Sequence, residues 1–184
     1  MAISLASKPD DSGFSKTLLK GLQNHTKALA AVFSFYDKKE KALISKHFEV
    51  EQPILQKIIK IAGKKILNVA SPVSDEAYAL IIKKTIGICD NFVDVTFGEI
   101  PKLVDKAIRV ATSINRIYAI GHFIDGQLYG TSTLSFKKDQ QMPSMEMLES
   151  YAHLMAVYVR NSSATKAFKE SEANITAPAI KKNQ

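Results

Sequence analysis

The 184-residue sequence contains one cysteine, Cys89. A disulfide framework and a four-cysteine zinc site are therefore excluded, and a reducing, intracellular setting is the expectation. Arginine is scarce as well: of 25 basic residues only Arg109, Arg116 and Arg160 are arginines. The planar fork that reads guanine or clamps phosphate is thus rare, although the net charge is +7. Lys57, Lys60 and Lys64 fall along one side of an expected helix, and a solvated face accounts for them better than a phosphate-binding one. Nucleic acid is not an expected partner. No apolar run reaches the roughly 18 residues of a membrane-spanning helix. The start, MAISLASKPDDSGFS, has neither the basic region nor the apolar core of a signal peptide. A soluble, cytoplasmic chain with no membrane partner is expected. Also missing are a glycine-rich phosphate loop, a GxSxG elbow, an HExxH helix and any nucleophile-base pair close in sequence, so catalysis is not expected.

With 46% hydrophobic residues, the chain can bury one substantial core without staples. Its organising stretch is RIYAIGHFIDGQLYGTSTLSF, residues 116 to 136, in which two strand-like runs meet at Asp125-Gly126. Asp-Gly between apolar runs signals a type I′ hairpin, because both central residues need positive φ. A two-residue loop then pairs Ile124 with Gln127, His122 with Tyr129, Ile120 with Thr131 and Tyr118 with Thr133. In this register Tyr118, His122, Tyr129, Thr131 and Thr133 share a face of apolar bulk with scattered hydroxyls and one imidazole, as a small-molecule pocket would have. The opposite face, with Ile117, Phe123, Leu128, Leu134 and Phe136 among its residues, is plain packing surface.

Residues 1–15 are Ser-rich and aperiodic and are expected to form a flexible leader. An amphipathic helix TLLKGLQNHTKAL follows, then strands LAAVFSFY (29–36) and KALISKHF (41–48) across the turn DKKE. Pro53 opens a helix that Gly63 closes, with Ile54, Leu55, Ile58, Ile59 and Ala62 as its apolar stripe. Ser74 caps a second helix. Alternation from Phe92 to Phe97 predicts a strand, and Pro101 a short helix with Leu103, Val104, Ala107, Ile108 and Ala111 at helical spacing. Pro143 and Ser144 start a long helix carrying Leu148, Tyr151, Ala152, Met155 and Val159 at three-four spacing.

This order of elements resembles a GAF domain over roughly residues 16–161. The most recognisable match is Gly126-Gln-Leu-Tyr-Gly130-Thr-Ser-Thr-Leu134 with the later Leu148-Glu-Ser-Tyr-Ala-His-Leu-Met-Ala156. The resemblance implies an α+β fold: a central antiparallel sheet of five to six strands, terminal helices on one face, and inner helices and loops over a pocket on the other. It further implies a signal-sensing domain for an unidentified small molecule or cofactor; the alternative is a GAF-fold dimerisation spacer whose pocket its own side chains fill. Residues 164–174 resemble the linker that precedes a PAS domain in sensor histidine kinases of methanogenic archaea, so residues 162–184 read as a linker remnant and tail of a longer two-component receptor.

Departures from the specialised subclasses narrow this. The Asn-Lys-Phe-Asp-Glu signature of cyclic-nucleotide binders has no counterpart, and Cys89 is followed by Asp90 where bilin binders commonly have histidine. A sulfoxide reductase needs several cysteines. His122 reads either as a haem ligand or ligand hydrogen-bond partner, or as a core histidine satisfied by Tyr129 or the backbone; the second is the commoner state of such a residue. Cys89 reads as a redox-sensitive thiol, a haem attachment point or a small buried hydrophobe, and no CxxCH motif supports the haem reading. Haem is the one cofactor these residues suggest. A homodimer through the terminal helices is expected, because the apolar periodicity of the last helix continues through Val159, Ala164, Ala167 and Phe168.

Overall fold

The computed structural model describes residues 12–158 and 160–161. The chain runs α1 (Ser12–Thr26), β1 (Ala30–Asp37), β2 (Ala42–Val50), α2 (Gln52–Ala62), a 3-10 stretch (Lys64–Asn68), β3 (Ala70–Pro72), α3 (Asp75–Lys83) and β4 (Ile86–Cys89). It continues with the single turn α4 (Phe92–Val95), then α5 (Lys102–Thr112), β5 (Ile114–Ile124), β6 (Gln127–Lys137) and a last helix, α6, over 145–158. All strand pairs are antiparallel, in a six-stranded sheet of order β3-β2-β1-β6-β5-β4.

Local chemistry explains the joints. Asp37 Oδ1 accepts from the backbone N–H groups of Lys39 and Glu40, at 2.9 and 3.1 Å, and so closes the DKKE turn. Pro53 sits in the first turn of α2, and Gly63, at φ 75°, ends it. Ser74 Oγ accepts from Ala77 N–H at the start of α3, and Ser144 Oγ does the same for Met147 N–H at the start of α6. Asp125 and Gly126 have φ of 48° and 74°, as the hairpin turn requires.

Two expectations are corrected. The strand predicted from Phe92 to Phe97 is a helical turn; the strand lies upstream, at Ile86–Cys89. Asn91 decides this, because its side-chain oxygen accepts from Asp94 N–H at 2.8 Å and starts a helix where alternation alone suggested extension. At the other end, α1 begins at Ser12, inside the segment expected as leader, and stops at Thr26, whose hydroxyl turns back onto Leu22 carbonyl at 2.8 Å. The remaining leader, residues 1–11, and the linker remnant, 162–184, lie outside the described residues.

The sheet has two unlike faces. On one, α1 and α6 pack through Leu19, Leu22, Leu148 and Met155 onto Phe33, Ile120, Leu134 and Phe136, all 3% exposed or less. Each such side chain contributes about 1.5–3 kcal/mol, so this face is the tightly packed core. Over the other face lie α2, the 3-10 stretch, α4 and α5.

Candidate functional site

The two faces are sorted by a bulge in the hairpin. Ile124 pairs with Gln127 and Phe123 with Leu128, as the turn predicts, but His122 pairs with Gly130, and the pairs from there to Arg116–Phe136 are shifted by one residue, until a second irregularity between Ile114 and Arg116. Tyr129 is the extra residue. Because side chains alternate with period two, one inserted residue moves the rest of β6 to the other side relative to β5. Gly130 permits it: a Cβ there would lie 2.4 Å from the backbone oxygen of Ser34 on the neighbouring strand. An isolated glycine inside a strand pattern is the sequence signal for such a bulge.

The single pocket face predicted for Tyr118, His122, Tyr129, Thr131 and Thr133 is therefore split. Tyr118 is 5% exposed in the core under the terminal helices, edge-on to Phe136. Tyr129 packs against the same core beside Phe35, with ring centres 5.4 Å apart. His122 is 1% exposed, 5.9 Å from the Phe33 ring, and its Nε2 shares a hydrogen bond of 2.8 Å with Ser132 Oγ. Its Nδ1 is buried without a partner, and burial pushes the imidazole pKa down to about 4. Thr131 and Thr133 point to the opposite face.

On that face a cavity of about 100 Å³ opens between the sheet and its covering helices. Its floor carries a row of hydroxyls across three strands: Ser45 on β2 pairs with Ser34 on β1, which pairs with Thr131 on β6. Thr133, Ser135 and Ser71 add to it. Among these six, the described side-chain hydrogen bond joins Ser34 Oγ and Ser45 Oγ at 3.3 Å. Leu55 and Ile58 of α2, Ile66 and Leu67 of the 3-10 stretch, Phe92 of α4 and Ile108 of α5 form much of the wall and roof. Among the described lining residues none is charged.

One buried charge sets the shape of the roof from outside the cavity. Asp105 on α5 is 3% exposed; its Oδ1 accepts from Phe92 N–H at 2.7 Å, and both carboxylate oxygens accept from Arg109 Nε at 3.2 and 3.0 Å. It thereby caps α4 and fixes the ring of Phe92 over the void. Leu103 and Ala107, expected on the apolar stripe of α5, face solvent, Leu103 at 83% exposure. Lys57, from the row of lysines on α2, donates to the Ala111 carbonyl at 3.3 Å. Cys89 is half-buried at the edge strand β4 and does not line the cavity; burial, with Asp94 and Asp90 nearby, raises its thiol pKa. A raised pKa disfavours the nucleophilic thiolate.

These residues do not fit haem. His122, the expected axial ligand, is engaged with Ser132 and lies on the packed face, and the cavity on the other face is smaller than a tetrapyrrole. Among the described residues no group of three His, Cys, Asp or Glu side chains could hold a metal ion, and no helix is long and apolar enough to cross a membrane.

The architecture is α+β and GAF-like. By sequence, no protein-family model and no curated protein matches the chain. By structure it is similar to the GAF domain of Thermosynechococcus elongatus PixJ in its blue-light absorbing form, with a TM-score of 0.60 and 9% identity over 96% of this chain and 98% of that one. A red/green cyanobacteriochrome in its red light-absorbing state gives a TM-score of 0.56 and 9% identity over 83% and 95%. The chromophore-binding domain of Stigmatella aurantiaca bacteriophytochrome in the Pr state gives 0.57 and 12%, covering 84% of this chain. The chain spans 55% of that longer domain. The likeness to these proteins is one of fold; a histidine-kinase parent and an archaeal origin gain no support from these structures.

Proposed function

We propose that this chain is a non-catalytic sensing domain that binds a small molecule between its sheet and the covering helices, as part of a signal-transduction protein. The observation that carries this reading is a difference in packing between the two faces. The stripe Ile54, Leu55, Ile58 and Ile59 makes α2 strongly amphipathic, yet no residue of α2, of the 3-10 stretch or of α4 is fully buried. Under α1 and α6 the equivalent residues are nearly sealed. Apolar side chains turned inward over a void lack the contacts that a ligand would supply. A spacer with a self-filled pocket would have closed that gap.

Thr131→Phe tests the reading. The new ring enters the cavity, so the variant is expected to unfold within about 1.5 kcal/mol of the parent, while a small molecule that co-purifies with the parent, seen by native mass spectrometry, is lost. A destabilisation of more than about 3 kcal/mol would mean the space is not available and would favour the spacer.

We further propose a homodimer through α6, supported by the exposed apolar residues Leu154 and Val157 one turn apart. The sequence continuation through Val159, Ala164, Ala167 and Phe168 lies outside the described side chains. Light scattering should give a dimer for the full chain and a monomer for a chain ending at Asn161. Two monomers would overturn the dimer, and a dimer unaffected by truncation would remove the continuation beyond Asn161 from the contact.

A further inference from the structure

We propose that the cavity selects uncharged ligands about the size of a single ring, gripped on one edge by the hydroxyl row of the sheet. The inference rests on the sensing role above and adds the chemical class. Charge is the first argument. Among the described residues, neither an acidic nor a basic side chain lines the cavity, so a carboxylate, phosphate or ammonium group would enter without a counter-charge. The loss of water around an ion then goes uncompensated, which no set of neutral hydroxyls offsets. Asp105 and Arg109, the charged groups behind the roof, satisfy each other and the start of α4, and neither lines the cavity.

Size is the second argument. About 100 Å³ compares with the apolar cavity of about 150 Å³ that accepts benzene. The third is the placement of polar groups. Six hydroxyls stand on the floor, whereas the wall and roof are built mainly of branched aliphatic side chains and phenylalanine. Ser34 and Ser45 bond to each other, which leaves Thr131 and Thr133 as the central hydroxyls on β6. They are two residues apart, about 7 Å along the strand. A ring with a hydroxyl or amide on one edge satisfies both surfaces, since its body meets the aliphatic side and its edge meets β6. Thr96, also on the lining, is committed elsewhere: it donates to Phe92 carbonyl at 2.7 Å and accepts from Ile100 N–H at 3.2 Å.

Three single-ring probes, phenol, benzoate and benzylammonium, separate the possibilities when titrated at pH 7 against the full chain and followed by the methyl resonances of Val32, Leu55, Ile58 and Thr131. Phenol is expected to shift these signals saturably, and the charged probes to bind about a hundredfold more weakly. Thr131→Phe should abolish the phenol shifts. Binding of benzoate or benzylammonium within a few fold of phenol, at the same methyls, overturns the uncharged class while leaving a ligand-accepting cavity in place. If none of the three moves these methyls at tens of millimolar, the inference and the sensing role fail together.

Discussion

Between pH 7 and pH 4 the domain is expected to lose roughly 3 kcal/mol of stability through His122 alone. The imidazole is fully enclosed, one nitrogen is bound to Ser132, and the other has no acceptor for the proton it would gain. Its folded pKa is lowered from 6.5 to about 4 by burial. The unfolded chain therefore takes up the proton first. The contribution is present in full above pH 6.5 and disappears as the pH falls from there toward 4. His47, lowered mainly by burial, adds a smaller change of the same sign. Denaturant unfolding at pH 7 and pH 4 measures the loss, and in His122→Leu most of it should be absent. An unchanged pH dependence in that variant would show that protonation of His122 does not govern acid unfolding.

Replacing Asp105 by alanine should cost about 3 kcal/mol. The substitution orphans the Phe92 N–H and leaves the half-buried Arg109 without its carboxylate. It also releases α4, and with it the Phe92 ring that closes the cavity. Asp105→Asn keeps an oxygen for the Phe92 N–H and gives up only the charge, so a loss of about 1 kcal/mol is expected there. Equal losses in the two variants would assign the effect to the ion pair and deny that the Phe92 N–H bond matters. Both variants can be measured by urea unfolding, with the slope checked for a change in the surface exposed.

The contrast between Asp105 and the hairpin shows which parts of the molecule could be seen in the sequence. The Asp125-Gly126 turn, both terminal helices and the caps at Ser74 and Ser144 follow from local chemistry, because capping and turn residues act on their immediate neighbours, whereas the α+β GAF-like architecture comes from the family resemblance. The split of the expected site has a different origin. Parity along a strand is reliable only while the ladder is regular, and one residue, Tyr129, exchanged the partners of His122 from Tyr129 to Gly130. Gly130 carried the warning, since a glycine within a run of Tyr, Thr and Leu often marks a bulge. Asp105 gave no such warning. In sequence it is a polar residue on an amphipathic helix with Arg109 four residues on, the pattern of a surface ion pair, and its burial depends on a contact with Phe92 that only the tertiary structure creates. The hydroxyl row is equally illegible: Ser45, Ser34 and Thr131 come from separate strands and are joined by the strand order alone.

Tyr151 on α6 donates to the carbonyl of Leu18 on α1 at 2.6 Å, and Gly21 leaves the room it needs, since a Cβ there would stand 2.7 Å from the tyrosine oxygen. The first and last helices are thereby clasped side by side on the wall that faces away from the cavity. As a building part, the domain carries both end helices on one side of the sheet and its cavity on the other. A force on one of these helices is shared with the other through the Tyr151 clasp.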